Sequence, residues 1–395
     1  MIARNSENVS IPFDQRGSSK SLREYVDIHW ETHYQITRTL GHTGVSSLLR
    51  KFLIDTSDPW SSTYEYRSWV KKQYSRGFQR GRFAYSDIDP SSNPLLAMWI
   101  YGLYDPTVDW MSDIDKSAVL QTNDDGLDAL ALAVRHEHRR LYEDLIRLGS
   151  DVNRILLGST TALHQAIMKR NIRDIEFLIS KGADPNIDTD RMPICLAASY
   201  HFAKAPLVDA LLNAGADPNK PCRKCRFHFA SVAVTKGDKY DAMESLIEAG
   251  ADVNHQTVEG FGSLLAAAVT HGALECAKML VENGAMPNVQ LQCPKYSNVL
   301  AAALFVGKRR FIDVTPNTAM EMVRFLVEEA GLDVKKVLCY PPSGQEDTGS
   351  PAETVAAADY LIKRGHASLE ELQGIGYDEK SLKARSDSEG GCKAS

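Results

Sequence analysis

The chain has 395 residues, of which 43% are hydrophobic and 24% charged, and its formal net charge is −6. This length exceeds what one hydrophobic core usually organises, so we expect two domains or a repeat array. The acidic balance disfavours an electrostatic hold on nucleic acid or on an anionic membrane, and no run approaches the ~20 apolar residues that span a bilayer. We expect a protein of the cytoplasm, the nucleus or both, which binds neither membranes nor nucleic acid.

The N-terminal region divides into a leader and a helical part. Residues 1–20 are polar and lack the apolar stretch of a secretory signal, so we expect a disordered leader. Apolar periodicity then predicts three amphipathic helices, over residues 21–37, 44–53 and 62–75. These helices are not repeats of one another. We expect them to form a helical region over residues 21–90, which covers the apolar end of the repeated segment that follows it in the chain.

A short motif recurs through the rest of the chain. The variants LIRLGSDVN, LISKGADPN, LLNAGADPN, LIEAGADVN and LVENGAMPN end at Asn153, Asn186, Asn219, Asn254 and Asn288. Apolar pairs such as Leu178 and Ile179 close a helix, and a glycine follows where the chain enters the left-handed conformation. Asp or Asn side chains then bond the turn backbone. The repeat interval of 33 to 35 residues predicts a solenoid of helical pairs.

An upstream signature gives the repeat a family resemblance. Thr161-Ala162-Leu163-His164-Gln165-Ala166 approximates T-P-L-H-x-A, the signature of ankyrin repeats, whose period is about 33 residues. Other copies lose the Thr and His but keep small residues, as in Ser263-Leu264-Leu265-Ala266-Ala267-Ala268. The chain therefore resembles the ankyrin-repeat family. The resemblance implies an all-α solenoid of helix-turn-helix units with hairpin-like finger loops and an N-terminal helical capping region.

We place the array at residues 91–368, in about seven or eight units with degenerate ends. Residues 93–102 are interpreted as a first inner helix, and residues 341–351 replace a proper inner helix before a closing helix at 352–364. Residues 369–395 are predicted to be a disordered tail. Insertions after Ala303, near 201–205 and near 236–240 are expected to be surface loops.

The N-terminal helices also have a resemblance. SLREYVDIHWETHY followed by SLLRKFLID is similar to the helical segment that precedes ankyrin arrays in large fungal NACHT-ankyrin proteins. No G-x-x-x-x-G-K-[ST] loop is present, so the nucleotide switch of those proteins is missing.

Cys222-Arg223-Lys224-Cys225 with His228 is the sharpest candidate for metal chemistry, because two thiolates and an imidazole suit Zn²⁺. The motif supplies only three of the four ligands of a structural zinc site. The alternative interpretation is a finger loop with exposed thiols. His136 and His138 stand two residues apart, which places them on different faces of a helix, so a solvated helix face is favoured there.

In the segment from Trp69 to Phe83, basic residues alternate with aromatic residues, as they do in proteins that bind single-stranded nucleic acid. Because the whole chain is acidic, we favour the alternative of a helix with a charged outer face followed by a turn. No G-x-S-x-G or H-E-x-x-H motif occurs. We name no catalytic residue and no cofactor, and we do not expect an enzyme.

The resemblance implies that finger loops and inner helices form a concave surface on which a partner protein lies. The finger segments are 187–191, 220–225, 255–261 and 289–296, and they vary in charge and aromaticity while the framework does not. Exposed aromatics and arginines are typical anchors of such surfaces. The candidate anchors are Arg191, Tyr200, Arg223, Phe261 and Tyr296.

Two functions remain open from the sequence. The first is a monomeric, non-enzymatic scaffold or adaptor that binds another protein. The second is a coregulator that binds a transcription factor, in a pathway of a fungus. An enzyme within the first ninety residues is the least supported, because a short helical segment offers little room for a pocket.

Overall fold

The structure, a computed structural model, describes residues 45–54, 63–75, 96–100, 120–123, 125–199, 205–223, 240–256, 261–292, 296–304, 318–340 and 352–374. Contacts within the chain divide it into two compact units, residues 1–149 and 150–395. The described part is helical, with isolated bridges at the finger loops. No helix in these ranges has the length and apolarity needed to cross a membrane.

The described helices of the first unit are α1 (Val45–Leu53), α2 (Tyr64–Ser75), α3 (Leu96–Ile100), α4 (Ala129–Arg135) and α5 (Arg139–Arg147). Two of the three N-terminal helices expected from the sequence are therefore present, and the one at 21–37 lies outside the described residues. α1 packs against α2, where the rings of Phe52 and Tyr66 meet edge to face at 5.8 Å. α3 packs against α4, and α4 against α5.

The described helices of the second unit are α6 (Ala162–Lys169), α7 (Ile172–Ser180), α8 (Pro193–Ser199), α9 (Ala205–Asn213), α10 (Tyr240–Glu248), α11 (Leu264–Thr270), α12 (Leu274–Glu282), α13 (Val299–Leu304), α14 (Thr318–Glu328), α15 (Val334–Leu338), α16 (Ala352–Lys363) and α17 (Leu369–Gly374). They form antiparallel pairs that stack. Inner helices contact inner helices, as α6 contacts α8 and α11 contacts α13, and outer helices contact outer helices, as α7 contacts α9 and α10 contacts α12. This is the predicted all-α solenoid.

The inner helices α4, α6, α11 and α13 begin at a polar cap, whereas Met192 precedes α8. The Asp128 carboxylate accepts from Ala131 N at 2.9 Å, the Ser263 hydroxyl from Ala266 N at 3.1 Å, and the Asn298 amide oxygen from Ala301 N at 2.8 Å. Thr161 holds this position in α6 with a reciprocal capping box. Asp, Ser, Asn and Thr all cap helices well, so copies that lose the Thr keep its function.

The outer helices end at the glycines of the repeated motif. These glycines have φ between +71° and +96°, in the left-handed region that disfavours a side chain. At Gly182, φ is +93°, and an added Cβ would meet no atom within 4 Å. The backbone conformation, and not crowding, therefore selects glycine there.

The C-terminal end of the array departs from the sequence expectation. Asp333 caps α15, a short helix that contacts α17 and that was not predicted from the sequence. The predicted irregular segment at 341–351 lies outside the described residues. The predicted disordered tail at 369–395 is wrong at its start, because α17 occupies Leu369–Gly374. Ser368 and Glu371 cap α17 reciprocally: Ser368 N donates to Glu371 Oε2 at 2.7 Å, and Glu371 N donates to Ser368 Oγ at 3.2 Å. A Ser-x-x-Glu pattern was the available signal.

Candidate functional site: the finger loops

A finger is the segment between the last Asn of one motif and the cap of the next inner helix. We name residues 154–160 finger A, residues 187–191 finger B and residues 220–223 finger C. All three belong to the second unit. Fingers project from a solenoid, so their positions depend on how the turns below them are fixed.

The Asn that ends each motif fixes successive turns to one another. Asn153 Nδ2 donates to Gly182 O at 2.8 Å, and Asn153 Oδ1 accepts from Asp184 N at 2.8 Å. The pattern repeats from Asn186 to Gly215 and Asp217, and from Asn219 to Gly250 and Asp252. The Nδ2 and Oδ1 atoms of each of these Asn side chains are thus both hydrogen-bonded to the next turn, which holds adjacent turns in register.

Finger A is a tight hairpin. Leu156 N donates to Thr160 O at 2.8 Å, and Ser159 N donates to Leu156 O at 3.1 Å. Gly158 and Ser159 have φ of +75° and +55°, which closes the turn in few residues. Leu156 is buried, whereas Ile155 and Leu157 are 52% and 70% exposed. The hairpin therefore exposes one aliphatic side chain on each side of the buried Leu156 in the sequence.

Finger B is fixed to α6 by a buried histidine. His164 Nδ1 lies 3.2 Å from Thr161 N, which can only donate, so Nδ1 is the acceptor and the proton is on Nε2. Nε2 then donates to Arg191 O at 2.8 Å. Burial lowers the pKa of His164 below its ordinary value of 6.5, and the bond to Arg191 O opposes the shift. The neutral His164 ring therefore links the cap of α6 to finger B.

Finger C is joined to the finger before it. Lys220 Nζ donates to Asn186 O at 2.6 Å, and the exposed Arg223 and Asp188 form an ion pair between the two tips. Cys222 is buried, with Sγ 3.5 Å from Asp190 O. Fingers B and C are therefore linked to each other by a hydrogen bond and an ion pair. In finger A, the exposed Ile155 and Leu157 side chains are hydrocarbon and make no hydrogen bond.

The structure separates the five candidate anchors. Arg223 lies exposed on finger C, and Arg191 is half-buried at the base of finger B. Phe261 and Tyr296 are 7% and 2% exposed, so the expectation that they are surface anchors is wrong. The Phe261 ring packs edge to face on His271 at 4.9 Å, and it serves the core. Tyr200 lies outside the described residues.

The candidate metal ligands are not brought together by the described residues. Cys222 is buried in finger C, while Cys225 and His228 lie outside the described ranges. Among the residues that the structure describes, no group of three metal-binding side chains is found. His136 and His138 lie in the turn between α4 and α5, with rings 6.5 Å apart, so the expectation of a solvated helix face is wrong. His138 Nε2 lies 2.6 Å from Ile100 O.

Ile155 and Leu157 were not predicted from the sequence as exposed finger residues. Finger A was not among the predicted finger segments, and no aliphatic residue was among the candidate anchors. The available signal was the run Arg154-Ile155-Leu156-Leu157-Gly158, in which a turn glycine follows three consecutive aliphatic residues. Three aliphatic residues cannot all face inward in so short a hairpin.

The fold and the finger geometry define a repeat solenoid that presents a row of loops above stacked helical pairs. Comparison with known families agrees: the model for a single ankyrin repeat matches residues 160–190, and the model for three copies matches residues 194–291. Residues 160–190 and 194–291 are therefore ankyrin repeats. Ankyrin repeats are modules of protein–protein interaction.

The curated relatives match this chain over part of its length. The ankyrin repeat and KH domain-containing protein mask-1 of Caenorhabditis elegans is 24% identical over 205 residues, which are 52% of this chain and 7% of that protein. The potassium channel AKT1 of Oryza sativa subsp. indica is 42% identical over 65 residues, 16% of this chain and 7% of the channel. The chain thus spans a small part of either relative.

Among solved structures, the ankyrin repeat domain of Bcl-3 resembles this chain with a TM-score of 0.45 and 22% sequence identity, over 58% of this chain and 95% of that domain.

Proposed function

We propose that this protein is a non-enzymatic adaptor that holds a partner protein through fingers A, B and C of its ankyrin array. The observation that carries the proposal is the tip of finger A, where the aliphatic side chains of Ile155 and Leu157 are exposed on a hydrogen-bonded hairpin. A rigid loop loses little entropy on binding, so apolar contacts made by it convert efficiently into affinity.

The burial of the inner helices favours a contact through the fingers over a contact deep in the concave face. Every residue of α11 from Leu264 to Thr270 and of α13 from Val299 to Leu304 is buried. These helices offer a partner almost no surface. The exposed charges of fingers B and C, by contrast, belong to the next two fingers of the array and can fix the orientation of a partner.

The test is quantitative affinity capture from native cells with three chains: the wild type, Ile155→Ser with Leu157→Ser, and Met286→Ser. Met286 is 56% exposed on a turn outside the fingers, so it is a matched apolar control. We expect the fingertip variant to lose a partner that the wild type and Met286→Ser retain, with all three folded by circular dichroism. Equal recovery from all three chains would rule out the fingers as the binding site.

The identity of the captured protein separates the two functions that the sequence left open. A transcription factor would place the protein among coregulators, and any other partner would favour a scaffold or adaptor. Imaging the tagged protein supplies an independent criterion, because a coregulator must accumulate in the nucleus.

A further inference from the structure

The helix α2 of the first unit has one face that packs on α1 and one that meets solvent. On the packed face, Tyr66 and Val70 are buried. The N-terminal end of α2 is fixed to α1 through Thr63, whose hydroxyl donates to Phe52 O and accepts from Tyr66 N at 3.1 Å. The position of the exposed face is therefore set by the packing on the opposite side of the helix.

The exposed face of α2 carries an aromatic residue and two cations in one line. Tyr64 is 74% exposed, and Arg67 and Lys71 are exposed three and seven positions further on. Residues at these intervals lie on one side of an α-helix, and these three span about 10 Å along its axis. Glu65 is the one acid in the sequence of α2, and at about 100° per residue it lies about 120° to 160° around the helix from the two cations.

The two cations contribute nothing to the stability of α2. Arg67 and Lys71 are four positions apart, an interval at which like charges destabilise a helix. In the part of the chain that the structure describes, neither side chain takes part in a hydrogen bond or an ion pair. Exposed cations on other helices are paired with an acid three or four positions away: Arg139 with Glu143, Arg147 with Asp144, Lys278 with Glu275, Arg324 with Glu328 and Lys363 with Asp359. A ligand of negative charge would supply the counter-charge that α2 lacks.

The sequence around this face is basic, although the whole chain is acidic. Between Glu65 and Asp87 there is no acid, and there are six cations: Arg67, Lys71, Lys72, Arg76, Arg80 and Arg82. Charges that lie further apart than the Debye length, about 8 Å at physiological ionic strength, are largely screened from one another. The net charge of −6, on which the expectation of no nucleic-acid binding rested, therefore does not decide what binds at α2.

The aromatic residue in the line of cations favours single-stranded nucleic acid as the occupant. Proteins that bind single strands combine cations that follow the phosphates with aromatic rings on which bases stack. An acidic protein segment would pair with Arg67 and Lys71, but it has no base for the exposed ring of Tyr64. A duplex keeps its bases paired and stacked inside, so it too would leave the ring unused.

We propose that the exposed face of α2 binds single-stranded nucleic acid, with Arg67 and Lys71 pairing with two phosphates and Tyr64 stacking on a base. This inference goes beyond the proposed function, because α2 belongs to the first unit and the fingers belong to the second. The two are tested by different variants, and the failure of one does not imply the failure of the other.

The test is fluorescence polarisation with the full-length protein and four labelled probes. Two are single strands, an oligouridylate and an oligothymidylate, and the other two are a DNA duplex of the same length and a polyglutamate peptide. We expect at least one single strand to bind about ten-fold more tightly than the duplex and the peptide. Equal or tighter binding of the duplex or the peptide would overturn the proposal, and so would the absence of binding to both single strands.

Charge reversal tests the two phosphate contacts. Arg67→Glu with Lys71→Glu should weaken binding of the single strand about ten-fold or more. It should also lower the slope of log Kd against log salt by about 1.4, because each phosphate contact to a single strand contributes about 0.7. Lys335→Glu with Lys336→Glu makes the same change in net charge on exposed residues of α15, and it should leave affinity and slope unchanged. Equal losses in the two variants, with both folded by circular dichroism, would show that the binding is not located at α2.

Replacement of the aromatic ring tests the stacking contact. Tyr64→Ala should weaken binding of the single strand about ten-fold without changing the salt slope, whereas Tyr64→Phe should retain affinity, because stacking requires the ring and not the hydroxyl. An abasic oligonucleotide, which has phosphates and no bases, should bind the wild type and Tyr64→Ala equally. If Tyr64→Ala binds the single strand as tightly as the wild type does, the proposal is wrong.

Discussion

Asn288 links two turns whose glycines are 47 residues apart: its Nδ2 donates to Gly331 O at 3.0 Å, and its Oδ1 accepts from Asp333 N at 2.7 Å. The same pair of bonds joins turns that are separated by 33 to 35 residues elsewhere. The extra residues between α13 and α14 therefore leave the framework in register. The array extends through this insertion as one hydrogen-bonded series from Asn153 to Asp333.

Replacing Asn288 by Ala should destabilise the second unit by about 1–2 kcal/mol, because both a carbonyl and an amide lose their partner. Urea denaturation measures the change. Gln292→Ala, an exposed substitution a few residues on, is the control and should stay within about 0.5 kcal/mol of the wild type. An unchanged free energy of unfolding in Asn288→Ala would show that the link is not structural.

Acidification should destabilise the protein through His164. Its folded-state pKa lies below 6.5, so the folded state binds fewer protons than the unfolded chain. The stability that this group contributes is complete above pH 6.5 and declines as the pH falls below that value. Denaturation at pH 7 and at pH 5.5 should therefore give a lower free energy of unfolding at the acidic pH.

A His164→Gln variant provides the control for this pH effect. It should lower stability at neutral pH by about 1–3 kcal/mol, because Thr161 N or Arg191 O loses its partner. It should also make the decline between pH 7 and 5.5 shallower. A decline equal to that of the wild type would assign the pH dependence to other groups.

Phe261→Ala should behave as a core substitution and not as a binding mutation. The buried ring fills space against His271, and removal of such a ring costs about 3–5 kcal/mol. Thermal unfolding of the variant measures this loss. If Phe261→Ala keeps wild-type stability, Phe261 is available on the surface, as the sequence analysis expected.

Substitution of Gly182 should follow conformational preference. We expect Asn to cost less than Ala, and Ala to cost about 1 kcal/mol, because φ of +93° disfavours a β-carbon while no neighbouring atom opposes it. Denaturation of the two variants gives the order. Equal stability of Gly182 and its Ala variant would contradict a role for the left-handed conformation.

The framework was predictable from the sequence because each repeated residue acts locally. The glycine, the turn Asn and the cap residue of each unit act within one turn of the chain, and their recurrence identifies the repeat. α15 and α17 were missed because they are short and lack the full motif, although Asp333 and Ser368 cap them as Asp128 and Ser263 cap earlier helices.

The candidate site was less predictable because exposure depends on packing between fingers. An aromatic residue in a loop sequence is equally consistent with an anchor and with a core residue, and Phe261 and Tyr296 proved to be buried. The aliphatic pair of finger A is exposed because the hairpin turns Leu156 inward. That result depends on the register of the bridge to Thr160.

The most direct measurement is photo-crosslinking in native cells, with a photoreactive amino acid in place of Leu157 in one chain and in place of Met286 in another. We expect a discrete cross-linked protein from position 157 that is absent from position 286. Cross-linking from position 286 alone, or the same products from both positions, would contradict binding of a partner at finger A.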